Sequence, residues 1–387
     1  MLEASSSSIL RSYFHREEAN AGSEAFTAAS DLNIGDTGNA DDTATGTLFL
    51  QDNGQITVES AGGFFVGSGF FANTKASGTV FQTGGTLTVN ADFDGGFVIG
   101  GRTSSLPVGV YHLDGGGVIA NTNVQVGGRG SGTIDQTAGS FAANGFVAIG
   151  RHAGSVGEWT VSGGTVTQNG ASRRLIVGEG GVGTLTLAGA GRVSLAGPLQ
   201  ISSLSSSSGT VNLDGGTLTA PRVYKGSGTA TWNFDGGILR AGATTSVFMQ
   251  GLSNAFVQVG GAIVDTQGYS VTIAQPLLHD PTLGLPDGGL TKRGVGTLTL
   301  SAANTYTGST VIEAGTLRVG NPAALGTGNL RIAAGGLLAL APGLVVQAAA
   351  LDLAGGRVDI GDGRLEITAG GIKAGTIRNA LISGRGN

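Results

Sequence analysis

The residues best able to do chemistry lie close together near the end of the chain. The segment GRVDIGDGRLEI carries Arg357, Asp359, Asp362, Arg364 and Glu366. Enzymes that cleave polysaccharides need carboxylates grouped with basic side chains on one outward face, often with bound calcium. Glycine and short polar residues are also what a solvated turn between two strands requires. We favour the solvated turn, keep a polysaccharide lyase or hydrolase as the alternative, and assign no catalytic residue.

Other polar groups are too scattered to predict a second reactive site. Around RLIVGEGG, a small cluster contains Arg173, Arg174 and Glu179, and we interpret it as a loop between strands. The four histidines are His15, His112, His152 and His279. No two of them have the spacing of metal ligands, and the chain has no cysteine. We therefore expect no bound metal and no cofactor.

Two further patterns are similar to ligand-binding features but lack their context. The segments GGRGSG at 127 and GEGGVG at 178 are similar to phosphate-binding glycine loops, yet neither opens a predicted helix or precedes Lys-Thr. Threonine pairs with one intervening residue could bind ice, but they belong to different strand types and do not occur in every repeat. We expect them to be outward β-branched residues. The pairs are Thr86/Thr88, Thr165/Thr167, Thr184/Thr186, Thr217/Thr219 and Thr297/Thr299.

Composition restricts the class of protein. Glycine accounts for 73 of the 387 residues, without the three-residue period of collagen. The chain is 40% apolar, which is too much for a disordered glycine-rich tail. It can therefore bury a core around a backbone that turns often. The net charge is −5 and no basic patch is present, so we expect no nucleic-acid partner.

The sequence repeats a three-run pattern. A first run begins with glycine at positions 46, 78, 109, 132, 157, 183 and 209, as in GTLFL and GTVFQ. The offsets between these positions are 32, 31, 23, 25, 26 and 26 residues. A second run follows, as in GGTLTV at 84 and GGTVTQ at 163. A third run of four residues ends in an apolar residue and glycine, as in FVIG and VAIG. These runs begin at positions 32, 64, 97, 124, 147, 175 and 257.

Alternation within these runs places the apolar residues on one face of each strand. Three such runs in about 25 residues cannot close a core alone, whereas stacking successive repeats buries the inward rows. We therefore predict an all-β, right-handed parallel β-helix with three faces, a solenoid in which one repeat is one coil. At about 4.8 Å per coil, ten coils give a rod of roughly 50 Å. An antiparallel sandwich or barrel is the alternative, but it would favour two-residue hairpin turns.

Aromatic and acidic residues recur at fixed places in the repeat. Phenylalanines near the third run would form a ladder in the core if they point inward, or a sugar-binding strip if they point outward, and we favour the core. These are Phe64, Phe65, Phe97, Phe146 and Phe256. Aspartates before Gly-Gly pairs are expected to accept backbone N–H bonds and fix their turns. These are Asp114, Asp214 and Asp235.

The N-terminal region contains the one helix candidate, SSILRSYFHREEANA, residues 7–21. Four of its apolar residues can share one helical face: Ile9, Leu10, Tyr13 and Phe14. We expect this helix to cap the open end of the first coil, with a disordered leader as the alternative. No signal peptide is predicted, because the region lacks an apolar core of seven residues. The longest apolar stretch, residues 337–353, is interrupted by polar residues and a proline and is a poor membrane span.

Residues 290–320, LTKRGVGTLTLSAANTYTGSTVIEAGTLRVG, carry a longer and more specific pattern. Its elements are LTK at 290, Gly294, GTLTL at 296, NTYTG at 304 and AGTL at 314. This segment closely resembles the passenger-associated transport repeat, also called the autotransporter-associated β-strand repeat. The resemblance implies a passenger-type region that is exported by a Gram-negative bacterium and displayed or released outside the cell. It also implies that the repeat is linked to export and folding, and not to catalysis.

Four regions are predicted. They are a leader or capping helix (1–25), β-helix coils (26–286), the transport repeat (287–340), and terminal coils (341–387) that we expect to be truncated before a sorting tail. We predict a non-catalytic extracellular or cell-surface protein with a structural, export-related or adhesive role. It is expected to be a monomer with no membrane span and with an unknown surface partner or glycan. A polysaccharide-acting β-helix enzyme is the alternative.

Overall fold

A computed structural model describes residues 13–14, 18–36, 43–69, 75–92, 96–102, 107–284 and 286–369. Regular structure within these ranges consists of β-strands. No helix long and apolar enough to cross a membrane occurs among the described residues. They form two compact units: one runs to Val211 and includes Lys225–Ala230, and the other comprises Asn212–Tyr224 and the residues from Thr231 onward.

The first unit is a stack of coils with three short strands each. Every strand pairs in parallel with its counterpart one coil away, as Phe64–Val66 does with both Leu32–Ile34 and Phe97–Ile99. The strands of the first, second and third sequence runs form faces 1, 2 and 3. Face 1 comprises Glu18–Ala21, Thr43–Leu50, Lys75–Gln82, Val108–Leu113, Ser131–Gln136 and Val156–Val161. Face 2 comprises Ala25–Ala28, Gln55–Val58, Thr86–Val89, Gly117–Ala120, Ser140–Ala143 and Thr165–Gln168. Face 3 comprises Tyr13–Phe14, Leu32–Ile34, Phe64–Val66, Phe97–Ile99, Val124–Val126, Val147–Ile149, Leu175–Val177 and Leu199–Ile201. One long strand, Val182–Leu195, pairs with face 1 through its first half and with face 2 through its second half.

The second unit repeats this arrangement. Its strands also pair in parallel, as Ala262–Asp265 does with both Ile238–Ala241 and Leu290–Arg293. The other strands are Thr245–Gln250, Asn254–Val257, Ser270–Ile273, Leu278–His279, Thr297–Leu300, Thr310–Val319, Leu330–Leu340, Val345–Ala348, Leu351–Ala354, Arg357–Asp359 and Arg364–Ile367. Three strands contain residues of both units: Ser208–Ala220, Val223–Lys225 and Thr229–Phe234.

The parallel pairing confirms the predicted β-helix and excludes the antiparallel sandwich or barrel. Two local predictions are wrong. VQVG at 257 is not a third run, because Asn254–Val257 pairs with Thr231–Phe234 of the first-run type. The predicted N-terminal helix is replaced by strands at Tyr13–Phe14 and Glu18–Ala21, because pairing with the next coil outweighs a weak helical pattern. The rest of that helix candidate lies outside the described residues.

Burial follows the alternation of the sequence. Face 1 strands such as Val108–Leu113 expose every second residue and bury the others. Inward aromatic rings then contact each other from coil to coil: the ring centroids of Phe64 and Phe97 are 5.3 Å apart, and those of Phe97 and Phe141 are 5.4 Å apart. The core ladder is therefore confirmed for Phe64 and Phe97.

The other phenylalanines of that prediction have different environments. Phe65 is fully buried, with the Arg102 guanidinium 4.3 Å from its ring centroid. Phe146 and Phe256 are half-buried, so placing them in the core was wrong. Sequence alternation could not place Phe65, because both sides of face 3 are covered. Phe256 is an outward residue of a strand of the first-run type, which the wrong assignment of VQVG concealed.

Face 3 differs from the other faces because all three residues of most of its strands are buried. The turns from face 3 to face 1 cross its outer side: a Cβ atom on Gly128 would lie 2.7 Å from Cγ1 of Val98. The outer residues of face 3 are therefore shielded by backbone and long side chains. Any pocket on this side must be made by a departure from the regular turns.

Glycine is required where face 3 turns into face 1. Gly150 ends the third run with a φ of 71° and donates its N–H to Val126 O of the preceding coil at 2.7 Å. Gly157, in the following face 1 strand, lies directly against this bond. A Cβ atom there would be 2.1 Å from Val126 O and 2.3 Å from Gly150 N. From the sequence we expected these glycines to be needed for their turn conformation. Gly157 is needed instead because a side chain would overlap the backbone of the neighbouring residues.

The aspartates before Gly-Gly pairs act between coils. Asp235 accepts the backbone N–H of Gly260, and Asp114 accepts the hydroxyl of Thr137, both one coil further along the chain. Burial and the nearby charge of Asp235 raise the pKa of Asp214. The prediction that these carboxylates accept backbone N–H groups holds for Asp235, but its bond fixes the spacing of two coils and not its own turn.

Replacing Gly157 with alanine is expected to destabilise the first unit by about 1–3 kcal/mol, because the new methyl group overlaps an inter-coil hydrogen bond. The measurement is the guanidinium chloride midpoint from circular dichroism. Gly268→Ala is the matched control: no atom lies within 4 Å of its Cβ position, and its change should stay within about 0.5 kcal/mol. Equal midpoints for the two variants would show that the close approach at Gly157 carries no stability.

Candidate functional site

The predicted transport repeat forms a buried polar network centred on Lys292. The Lys292 side chain is fully buried in a face 2 strand. Its Nζ donates to Thr266 Oγ1 at 3.0 Å, Arg293 O at 3.0 Å, Gly294 O at 2.6 Å and Ala314 O at 2.9 Å. These acceptors belong to three successive coils, so the ammonium group joins the turns of all three.

Burial also changes the acid–base behaviour of Lys292. Removal from water lowers its pKa to about 8 from an ordinary 10.5, against the smaller, opposite influence of the charge of Asp265. The direct partners of Nζ are neutral oxygen atoms. The group is therefore a structural cross-link with an unusual pKa.

A second buried group, Asp287, precedes the quoted motif. Its carboxylate accepts the backbone N–H groups of Gly289 at 3.0 Å, Thr307 at 2.8 Å and Gly308 at 2.8 Å, and lies 2.8 Å from His279 Nδ1. Burial raises the pKa of Asp287, but these hydrogen bonds outweigh it and hold the pKa below its ordinary value. Nothing in the sequence marks this role, because Thr307 and Gly308 lie 20 and 21 residues further along the chain.

The polar side chains of the NTYTG element also form buried hydrogen bonds. Asn304 accepts the N–H of Leu277 at 2.9 Å and donates to Ala324 O at 2.6 Å. The buried Tyr306 hydroxyl lies 2.6 Å from Thr310 Oγ1, and burial raises the Tyr306 pKa. Each polar side chain of this element thus satisfies a backbone or hydroxyl group of its own or a neighbouring coil.

The charged cluster of residues 357–366 makes turn and cross-coil contacts. Asp359 accepts the N–H of Gly361 at 3.1 Å, and Asp362 accepts the N–H of Gly343 at 2.8 Å. Arg364 and Glu366 form an ion pair at 2.6 Å. These bonds favour the solvated turn over an array of catalytic carboxylates.

The other candidates of the sequence are also accounted for by local structure. His112 stacks on Phe81 with ring centroids 4.9 Å apart, while His279 contacts Asp287. His15 lies outside the described residues, and among those described no three His, Asp or Glu side chains are grouped as metal ligands. The glycine loops at 127 and 178 are turns from face 3 to face 1. The threonine pairs are half-buried or exposed, and the three pairs of the first unit lie on strands of two different faces.

The small cluster at Arg173, Arg174 and Glu179 lines a pocket. A cavity of about 230 Å³ is lined by Phe146, Arg151, Ser172, Arg173, Arg174, Ile176 and Glu179. Arg151 is bound to Glu179 at 2.6 Å and lies over the Phe146 ring at 4.6 Å. The interpretation as a loop between strands is correct, but Phe146 and Arg151 could not be assigned to this site from sequence.

Lys292→Met is expected to destabilise the second unit by about 2 kcal/mol, because Thr266 and three carbonyl groups lose a charged donor. Chemical unfolding at pH 7 measures the change. Arg293→Met is the matched control, because it removes a positive charge from the adjacent residue. The ion pair of Arg293 with Glu313 is exposed, so the loss in free energy of unfolding should be below about 0.5 kcal/mol. Indistinguishable midpoints would contradict the cross-link.

The difference in stability between the wild-type chain and Lys292→Met should widen as the pH rises above 8. The folded pKa of about 8 lies below the ordinary 10.5, so the unfolded chain binds more protons between these values. The free energy of unfolding therefore increases with pH in this interval, by about 1–2 kcal/mol between pH 8 and 9.5, only where Lys292 is present. Unfolding curves at pH 7.5, 8.5 and 9.5 measure it, and a constant difference would rule out the lowered pKa.

Comparison with known proteins agrees with this geometry. The family model of the passenger-associated transport repeat matches residues 290–319, which include Lys292 and the NTYTG element. Over 313 residues the chain is 29% identical to a curated protein, the adhesin BmaC autotransporter of Brucella suis biovar 1 (strain 1330). That alignment covers 66% of this chain and only 9% of the relative. No solved structure matches the chain significantly. Residues 290–319 therefore form a passenger-associated transport repeat, and the parallel coils around it are similar to the passenger of an autotransporter.

Proposed function

We propose that this chain is a non-catalytic part of a surface-displayed or secreted passenger, and that its role is adhesive contact. The observation that carries the proposal is that the polar side chains of the transport repeat are used within the β-helix. Lys292, Asp287 and Asn304 are buried and hydrogen-bonded to turns of neighbouring coils. A motif used in this way builds a stiff support and does not process a substrate.

The adhesive part of the proposal draws on the relative whose name describes an adhesin. The alignment spans 9% of that protein, so the adhesive role is proposed for this chain from its own geometry as well. A parallel β-helix nevertheless suits this work, since its outer turns vary in length without disturbing the stacked strands. An export-related role of the repeat is compatible, because the same network would favour folding from one coil to the next.

Beads coated with the folded chain are expected to adhere to cultured epithelial cells several-fold more than beads coated with albumin. Beads coated with the heat-unfolded chain provide the matched control, because composition and charge are the same while the outer turns are lost. Adherence is counted by microscopy after washing. Equal counts for folded, unfolded and albumin beads would contradict the adhesive role.

The enzymatic alternative has its own assay. Incubation of the chain with polyuronate, with and without calcium, should release neither unsaturated products nor new reducing ends. Clear turnover that is lost in Asp359→Asn or Asp362→Asn would overturn the non-catalytic proposal and return the charged cluster to the position of an active site.

A further inference from the structure

We propose that the cavity around Arg173 and Arg174 binds one acidic sugar unit, held by its carboxylate or sulfate group. This inference rests on the proposed adhesive function and gives it a ligand class. It depends on three observations in the first unit: a local insertion, an excess of arginine, and an apolar floor.

The insertion separates this coil from its neighbours. The turn from face 2 to face 3 spans residues 169–174 here, between Thr165–Gln168 and Leu175–Val177. In the preceding coil the same turn is only residues 144–146, between Ser140–Ala143 and Val147–Ile149. The extra residues include Ser172 and Arg173, which line the cavity. The intervals 59–63 and 90–96 of earlier coils are also longer than three residues, but the coils directly before and after this one have short turns. Enlarged loops on a regular scaffold are common places for a binding site.

The cavity is positively charged in an acidic chain. Arg151, Arg173 and Arg174 line it together with one carboxylate, that of Glu179. Arg151 and Glu179 neutralise each other at 2.6 Å, with side chains that are 15% and 24% exposed. The excess positive charge of the cavity therefore comes from Arg173 and Arg174, whereas the whole chain has a net charge of −5. A local positive site of this kind favours an anionic ligand.

The two remaining arginines have different roles. Arg174 donates to Gln200 Oε1 at 2.9 Å, and Gln200 in turn donates to Ser203 Oγ at 3.2 Å, so the Arg174 guanidinium is held in place. Arg173 is exposed, and its side chain makes no hydrogen bond or ion pair with the residues that the structure describes. One positioned and one available guanidinium together match the two oxygens of a carboxylate, or those of a sulfate.

The floor of the cavity is apolar. It contains Ile176, which belongs to face 3 and is 6% exposed, and the half-buried ring of Phe146. One face of the Phe146 ring is already covered by Arg151 at 4.6 Å. The C–H face of a pyranose ring can rest on such a surface while its acidic group reaches the arginines. A volume of about 230 Å³ has room for one sugar unit and not for a folded peptide segment.

The test measures binding of three trisaccharides of equal length by calorimetry: a uronic-acid form, a sulfated form and a neutral form. Both acidic forms or one of them should bind, at least tenfold tighter than the neutral sugar, and affinity should fall as salt rises. Binding of the uronic-acid form would show that the cavity holds a carboxylate, and binding of the sulfated form would show that it holds a sulfate. Equal affinity for neutral and acidic sugars would overturn the proposal, and so would no binding of any of them.

Variants assign the binding to this cavity. Arg173→Ala and Arg174→Ala should each weaken binding at least tenfold, and Arg173→Lys, which keeps the charge without the planar fork, should lie between. Arg192→Ala is the matched control: Arg192 is exposed on face 2 and not part of the cavity, so affinity should stay within twofold. Unchanged affinity in Arg173→Ala and Arg174→Ala together would refute the site.

The bead assay separates this inference from the proposed function. Beads that adhere although the protein binds no acidic trisaccharide would leave the adhesive role standing and remove the cavity as its means. Conversely, specific binding of an acidic trisaccharide by a protein whose beads do not adhere would support the cavity and remove the adhesive role.

Discussion

One inter-coil hydrogen bond sets the geometry of the whole first unit. At five successive coils a glycine that ends face 3 donates its N–H to a carbonyl of the coil before, as Gly150 does to Val126, and Ser202 does the same at the next coil. The glycine of the following face 1 strand, such as Gly157, has no Cβ atom and lets this bond close. The same arrangement recurs at Gly127 with Gly132 and at Gly178 with Gly183. Because parallel strands stack at about 4.8 Å, larger residues at these positions would push successive coils apart.

The tight turns also leave backbone groups without partners, and buried polar side chains form hydrogen bonds with them. A backbone that turns three times per coil leaves carbonyl and N–H groups facing inward, and each needs a partner. Gln136 supplies one by donating to Gly139 O at 3.4 Å and to Thr165 O at 3.2 Å. In the transport repeat the same need is met by charged groups, Lys292 and Asp287. Charged donors and acceptors make stronger bonds than neutral ones, so these coils are joined more firmly.

Scaffold and recognition are thereby separated in this chain. Residues that stack coils point inward or sit at fixed glycine positions, and changing them costs stability. Outer turns face solvent and tolerate insertion, as residues 169–174 illustrate beside the short turn of the preceding coil. This enlarged turn places Arg173 in the lining of a cavity to which Ile176 and Phe146 also contribute. A β-helix can in this way vary its outer surface without changing its fold.

The sequence by itself determined the strand periodicity, the three runs per coil, the parallel stacking and the identity of the transport repeat. These features are local or strictly repeated, so alternation, glycine spacing and one specific motif are sufficient to predict them. Only the tertiary structure decided which side chains meet between coils. Asp287 contacts Thr307, and Phe146 joins Arg151 and Arg174 around one cavity, although nothing in their spacing marks them. The physical reason is that coil lengths vary, so the register between coils is fixed by packing and hydrogen bonds, and not by distance along the chain.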